Sequence, residues 1–278
     1  MSVLTFSVLI GLGSFIAGLL GSLTGLGGGV IIIPLLTLVF GVDMHYAMGA
    51  SLVSVIATSS GSAAAYVREG YSNVRIGLFL EIATTSGALL GAMLGTRAPT
   101  SLLAAILGLV LLYTAFTGAR KERPLNADSE SSRQRGFLRL DGNMPGAAGP
   151  APYRARRIPL AFGLMGLAGI MSGLLGIGSG AIKVLAMDWA MGLPFKVSTT
   201  TSNFMIGVTA AAGAGIYLRN GYIQPGLAMP VVLGVLAGSM IGAKILMSKP
   251  SPYLRTIFRF VIGALGMELI FSGLKGRI

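Results

Sequence analysis

Tyr66-Val-Arg-Glu-Gly-Tyr71 and Tyr217-Leu-Arg-Asn-Gly-Tyr222 share the pattern Tyr-x-Arg-x-Gly-Tyr, 151 positions apart. The spacing holds well beyond the hexamer. Sliding the chain on itself by 151 residues lays 17–99 on 168–250 without a gap, with 19 identities in 83 pairs. Gly25-Leu-Gly-Gly-Gly29 falls on Gly176-Ile-Gly-Ser-Gly180, Gly41 on Gly192, Ser51 on Ser202, Thr58 on Thr209 and Pro99 on Pro250. Glycine-rich chains match one another by composition, but an ungapped hexamer does not follow from composition. The chain is internally duplicated.

What is duplicated is membrane sequence. Of 278 residues 53% are hydrophobic and only 11% charged, with mean hydropathy +0.79, against about 25% charged in a soluble globular chain. Apolar runs fall near 4–23, 30–41, 46–67, 74–95 and 100–118, and again near 158–175, 180–192, 198–218, 223–247 and 252–273. A crossing helix needs ~20 residues; the runs 30–41 and 180–192 reach only half to two-thirds of that and match each other in the repeat. Five runs per half is an odd number; if all five cross, the second half enters from the opposite side. The expected fold is all-α, a polytopic helical membrane protein made of two homologous halves in an inverted repeat. Two of its segments are short half-helices after glycine-rich turns.

Charge placement divides the chain and orients it. Nine of the 21 Lys+Arg lie between Ala119 and Arg157, among Pro, Gly and Ser. This predicts a first transmembrane repeat over 1–118, a basic cytoplasmic linker over 119–157 and a second repeat over 158–278 in the cell membrane. Both termini then fall outside. Met1 to Leu20 lacks a basic start and reads as a span rather than a leader. The net charge of +12 belongs to loops, so nucleic acid is not the expected partner. The absence of cysteine excludes disulfides and thiolate metal sites. The single histidine, His45, leaves no spare imidazole for a multi-histidine metal site or a catalytic triad. No metal and no cofactor are expected.

The glycine runs carry the chemistry. A helix that starts after a glycine turn presents unpaired N–H groups and the positive end of its dipole, and at membrane depth these need a partner. An anion suits them. Gly25, Gly27, Gly28 and Gly29 precede one short helix; Gly176, Gly178, Ser179 and Gly180 precede the other. Close helix packing explains the same glycines without a ligand. Hydroxyl-rich helices follow: Ser51, Ser54 and Thr58 share one face by spacing, and the second copy supplies Ser202 and Asn203. Interhelical or i−4 hydrogen bonding is the competing use.

Ionisable residues inside apolar runs are functional candidates by cost alone. Lys183 enters the first turn of the second short helix, where the first half has Ile32. A cation there suits an anionic substrate, or else pairs with Asp188. Glu81 and Asp188 are candidates for proton or ion coupling; a packing-level ion pair with a lysine is the competing use of Glu81. Lys244 and Glu268 lie nearer run ends and read as interfacial. Gly87, Gly91 and Gly95, like Gly234, Gly238 and Gly242, form small-residue faces for helix packing.

The stretch Gly21-Ser-Leu-Thr-Gly-Leu-Gly-Gly-Gly-Val-Ile-Ile-Ile-Pro34, followed by Gly49-Ala-Ser51, resembles the sulfite exporter TauE/SafE family of membrane permeases. The degenerate second copy near Gly176 and the basic middle loop are similar to that family too. The resemblance implies secondary transport of small anions: sulfite, sulfonates and related organosulfur acids. By motif position it points to Gly25, Gly27, Gly28, Gly29, Pro34, Ser51, Gly176, Gly178 and Gly180. The chain departs from the pattern at Ser179, Lys183 and Leu185, which stand where a glycine, an apolar residue and a proline are expected. The expectation is a transporter, not an enzyme, that binds a small anion and couples to a proton or sodium. A passive anion channel and a non-transporting membrane scaffold are the alternatives.

Overall fold

The computed structural model describes residues 3–24, 28–68, 72–117, 142–146, 149–153, 155–248 and 252–276; Gly25 and Gly27 lie outside them. The first half holds α1 (Val3–Thr24), α2 (Gly29–Pro34), α3 (Met44–Arg68), α4 (Val74–Gly95) and α5 (Thr100–Thr117). The second holds α6 (Ile158–Leu175), α7 (Gly180–Leu185), α8 (Phe195–Arg219), α9 (Pro225–Ser248) and α10 (Pro252–Leu274). Asn73 caps α4, its side chain accepting from the Ile76 N–H at 3.1 Å.

Neither α2 nor α7 ends where its α-helical hydrogen bonding ends. Each runs on through a five-residue π-helical turn, Leu35–Val39 and Ala186–Ala190, at repeat-equivalent positions. Pro34 precedes the first turn, but its counterpart is Leu185, so the widened turn does not depend on a missing proline N–H. Gly41 (φ +62°) and Gly192 (φ +67°) then end both segments in the left-handed region, which glycine enters without a Cβ clash. At 1.5 Å per residue, the eleven residues from Gly29 to Val39 rise ~16 Å, about half of the ~30 Å hydrocarbon core. Both segments are half-crossings.

The repeat is inverted. α1 packs along α9, and its image α6 packs along α4; α3 packs on α8 and α5 on α10. Within α3 and α8 the residues run oppositely: Tyr217 approaches Met48, whereas Asn203 faces Ser59. α5 and α10 are also antiparallel, with Gly273 beside Ser101 and Gly266 beside Gly108. A two-fold axis that exchanges antiparallel helices lies perpendicular to them, hence in the membrane plane. The glycine contacts obey the same symmetry. A side chain on Gly87 would overlap the Gly166 carbonyl, and one on Gly238 the Phe15 carbonyl, the image of that pair.

The half-crossings sit at the centre: Ile31, Ile32, Ile33 and Leu36 are buried, while the outer helices expose Leu12, Ile16, Leu78, Ile82, Leu102 and Leu109. Among the described residues four helices are long and apolar enough to cross a bilayer, within α1, α4, α6 and α9, and shorter apolar helices run over Gly29–Val39, Thr100–Phe116 and Phe260–Leu274. That outer apolar surface is matched to lipid, since a soluble monomer rarely exposes so much in one sheath. The chain is a multi-pass cell-membrane protein.

Part of the polar stretch between the halves is structured. β1 (Gly142–Gly146) and β2 (Gly149–Tyr153) form an antiparallel hairpin, which the Pro/Gly/Ser composition does not foretell. Asn73 Nδ2 donates to the Tyr153 hydroxyl at 2.8 Å, and the Arg156 N–H donates to the Met191 carbonyl at 3.0 Å. Burial holds the Tyr153 phenol above the usual tyrosine pKa, and the Asn73 bond acts in the opposite direction. The hairpin's last residue therefore touches the start of α4, and the segment after it touches the end of the second half-crossing.

Candidate functional site

The two half-crossings bring their N-terminal ends together. α6 stops at Gly176 (φ +69°); Gly178 (φ +74°) and Ser179 (φ +47°) then turn the chain into α7. The Ser179 carbonyl accepts the first intrahelical bonds of α7, from the N–H groups of Ile182 and Lys183. In α2 the Gly28 carbonyl does the same for Ile31 and Ile32. The amides that precede these bonds have no partner within their helices. Ser51 ties the ends to each other: its hydroxyl donates to the Gly176 carbonyl at 2.8 Å and lies 2.6 Å from where a Gly29 Cβ would be. Only a residue without a side chain fits there. Val30 of α2, Ile177 and Ser179 of the turn, Gly180 and Ile182 of α7, and Val110 and Thr114 of α5 line one cavity of about 20 Å³. That is room for about one water molecule. The Ser179 hydroxyl is buried beside it without a hydrogen-bond partner.

Most of the remaining hydroxyls are engaged with backbone. Ser202 donates to the Gly180 carbonyl at 3.2 Å and Ser54 to the Ser51 carbonyl at 2.7 Å. Thr58 donates to the Val55 carbonyl at 3.1 Å, and the Asn203 carbonyl accepts from Ser59 at 2.6 Å. Ser51 and Ser202 therefore pin the two turns. Ser54 and Thr58 mainly satisfy their own helix, although they share a face as their spacing predicts.

Lys183 points elsewhere. It is fully buried, and its ammonium donates to the Thr209 hydroxyl on α8. Thr209 in turn donates to Glu81 Oε1 on α4 at 2.5 Å, and Thr85 donates to the same oxygen at 3.0 Å. Three elements thus meet in one polar chain, Lys183–Thr209–Glu81. A buried ammonium and a buried carboxylate are each costly alone; here they lie within one hydrogen-bonded group.

The sequence profile of the sulfite exporter TauE/SafE family matches residues 10–269. The chain belongs to this family. Similar proteins include the probable membrane transporter protein YunE of Bacillus subtilis, 29% identical over 98% of this chain and 99% of its own. A second B. subtilis protein, the probable membrane transporter YdhB, is 27% identical over 95% of this chain and all of its own. A probable membrane transporter protein of Methanocaldococcus jannaschii is 25% identical over 92% of each chain. No solved structure gives a significant match. This TauE/SafE chain is a membrane transporter and takes a small-molecule substrate.

Against the sequence expectations, the fold of this TauE/SafE permease brings Gly28, Gly29, Ser51, Gly176, Gly178, Ser179, Gly180 and Ser202 together. It joins Glu81 to Lys183, and it does not pair Lys183 with Asp188, which stands in the π-helical turn beyond. Glu268 is exposed, as a residue near a run end should be. His45, at the start of α3, lies 3.4 Å from Asp43 and stacks on Tyr222. Sequence reasoning placed Thr209 among the hydroxyls of the second copy but not between Lys183 and Glu81. Its signal was present in its alignment with Thr58, but nothing local links it to Glu81, 128 residues away.

Proposed function

We propose that this permease is a secondary transporter that moves a small anion — sulfite, a sulfonate or a related organosulfur acid — by alternating access. The anion is held where α2 and α7 begin, by the free amides of both helix ends, the Ser179 hydroxyl and, after a change of rotamer, the Lys183 ammonium. The observation that carries this reading is the convergence of the two half-crossings on one small cavity lined in part by Ser179, whose buried hydroxyl has no hydrogen-bond partner. Helix dipoles and N–H groups at that depth favour negative charge. A lysine in the first turn leans back toward the helix N-terminus, so its stem reaches that end. By motif position Gly25 and Gly27 belong to the same site; Ser51 and Ser202 hold its turns, with Ser54, Thr58 and Asn203 near them on α3 and α8.

The tightness of the cavity favours alternating access over a continuously open pore, because a tetrahedral oxyanion needs more than the volume of one water. The two-fold symmetry supplies the alternative packing: each half can adopt the relation to its partner that the other half holds now. By the charge of its loops, residues 119–157 face the cytoplasm.

Calorimetry with sulfite and with ethanesulfonate on purified protein in lipid nanodiscs tests the site. Wild type is expected to bind at least one of them. Lys183→Met is expected to weaken binding by about 1.5–3 kcal/mol, roughly ten- to a hundredfold. Binding of neither anion, or binding unaffected by Lys183→Met and Ser179→Ala, would overturn this site. Uptake into proteoliposomes that continues at the same final level after all gradients are collapsed would favour a channel instead.

A further inference from the structure

The Lys183–Thr209–Glu81 chain exists on one side of the two-fold axis only. Its image positions are Ile32, Thr58 and Val232, so the threonine is common to both halves and the two charges are not. Glu81 is 5% exposed; its Oε1 accepts from Thr209 and Thr85, whereas its Oε2 is buried with no partner. Lys183 and Glu81 make no direct ion pair; the Thr209 hydroxyl stands between them, accepting from one and donating to the other.

We propose that Glu81 takes up one proton each time Lys183 engages the anion, so that anion and proton cross the membrane together, with Thr209 as the positioning residue that links the two events. The proposal rests on the reading of Lys183 as an anion ligand. When the ammonium leaves Thr209 for the anion, those two charges neutralise each other and the Glu81 carboxylate is left alone. Among the described residues of the elements packed around Glu81, no other cation replaces the lysine. α6, packed along α4, carries no ionisable residue, and α8 carries Lys196 and Arg219 only at its ends, with Tyr217 two turns from Thr209. On α4 itself Arg75 is exposed at the first turn, and Asp188 beyond α7 is acidic. An isolated buried carboxylate is neutralised by protonation. Oε2 forms the new O–H bond with a proton from water on the open side; Lys183 keeps its own protons. On the far side the anion leaves, the proton returns to water, and Lys183 goes back to Thr209. One monovalent anion and one proton move per cycle, with no net charge.

Proteoliposomes loaded with a fluorescent pH indicator, clamped at zero potential, test the coupling with ethanesulfonate, which stays ionised and carries no proton itself. Inward ethanesulfonate flux is expected to acidify the lumen, and one pH unit is expected to sustain about tenfold accumulation at one proton per anion. Glu81→Gln should still bind ethanesulfonate and exchange labelled for unlabelled anion, but its pH-driven accumulation should fall to unity. Thr209→Val should lose accumulation and Thr209→Ser should keep it, a distinction that a merely packing role does not make. Ethanesulfonate or sulfite flux without proton movement in wild type, or tenfold accumulation by Glu81→Gln, overturns the coupling and leaves the anion site standing. Loss of ethanesulfonate binding in folded Glu81→Gln makes the carboxylate structural and also overturns it. If wild type moves neither anion, the anion site itself fails. Should Glu81→Gln not fold, the wild-type proton-to-anion ratio and the two Thr209 variants decide.

Discussion

The half-crossing that begins at Gly29 and the one that begins at Gly180 share length, π-helical turn and terminal glycine, yet Ile32 in one is Lys183 in the other. Both side chains are fully buried. The first packs in an apolar surround; the second reaches Thr209 and, through it, Glu81. Duplication has kept the backbone path, and the chemistry has been concentrated on one side of the axis. Shared positions therefore report on architecture, and the unshared charges report on what the transporter does with its substrate.

Exchanging the two chemistries between the halves should have the largest effect. Ile32→Lys places an ammonium opposite Val232, with no carboxylate to meet it, and should lower stability by about 3–5 kcal/mol. Adding Val232→Glu, with Thr58 already in place, should recover part of that loss. In the other half, Lys183→Ile alone strands Glu81 and should be comparably damaging, although protonation of the carboxyl limits the cost. The double variant Lys183→Ile/Glu81→Val should be as stable as wild type, because an apolar pair of similar volume often replaces a buried ionic one without loss. It should not take up ethanesulfonate. Melting curves in detergent and vesicle uptake, measured on the same preparations, separate the two effects. A double variant that still transports would show that the charges are only packing.

Image positions that serve packing should behave alike. Gly87 lies against the Gly166 carbonyl and Gly238 against the Phe15 carbonyl. A valine at either site must push two helices apart, at a cost of about 1–3 kcal/mol. The two losses should agree within about 1 kcal/mol, a typical spread between equivalent core sites. Unequal melting shifts would mean that one of the interfaces α4–α6 and α1–α9 has more slack than the two-fold symmetry implies.

How much of this was legible in the chain follows the same division. Duplication, helix count and the short segments were readable because each leaves a local trace: a hexamer, a run length, a glycine pair. Lys183 was readable because a charge in an apolar run is conspicuous. Glu81 was readable as a partner for some lysine but not for this one, since Asp188 is near Lys183 in sequence whereas Glu81 is near in space, brought in by the packing of α4 on α8. The π-helical turns left no trace either: one follows a proline and the other a leucine. The hairpin of 142–153 was hidden by a Pro/Gly-rich composition that argues against strands. Ser179 was noticed as a departure from glycine, but not as a residue with positive φ, because a dihedral is set by the turn it must close.

Hydroxyl deletions are expected to have smaller effects. Ser51→Ala leaves the buried Gly176 carbonyl without its 2.8 Å donor across the repeat boundary and should lower stability by about 1–3 kcal/mol. Ser202→Ala removes a longer bond, 3.2 Å, to the Gly180 carbonyl and should cost about 1 kcal/mol or less. Thermal unfolding of the two variants side by side checks the order. A larger loss at Ser202 would place the tighter constraint in the second half.

The smallest effect is the most instructive. Ser179 caps α7 with φ +47°, whereas its image, Gly28, caps α2 with φ −64°. The residue that can enter the left-handed region freely does not use it, and the residue that enters it carries a Cβ. A non-glycine residue there is strained by about 1–2 kcal/mol. Ser179→Gly removes that strain but adds about 0.5–1 kcal/mol of chain entropy to be lost on folding, for a net gain of about half to one kcal/mol. If the serine were a passive replacement, the gain would come without penalty. With its hydroxyl buried and unpartnered at a residue that lines the cavity, the substitution should instead weaken anion binding by roughly 0.5–1.5 kcal/mol, up to about tenfold. Ser179→Ala should show the same weakening without the gain in stability. Opposite signs for melting temperature and affinity in Ser179→Gly would identify the strain as one held for function. A gain in both would assign the serine to neither and return the anion to the helix amides alone.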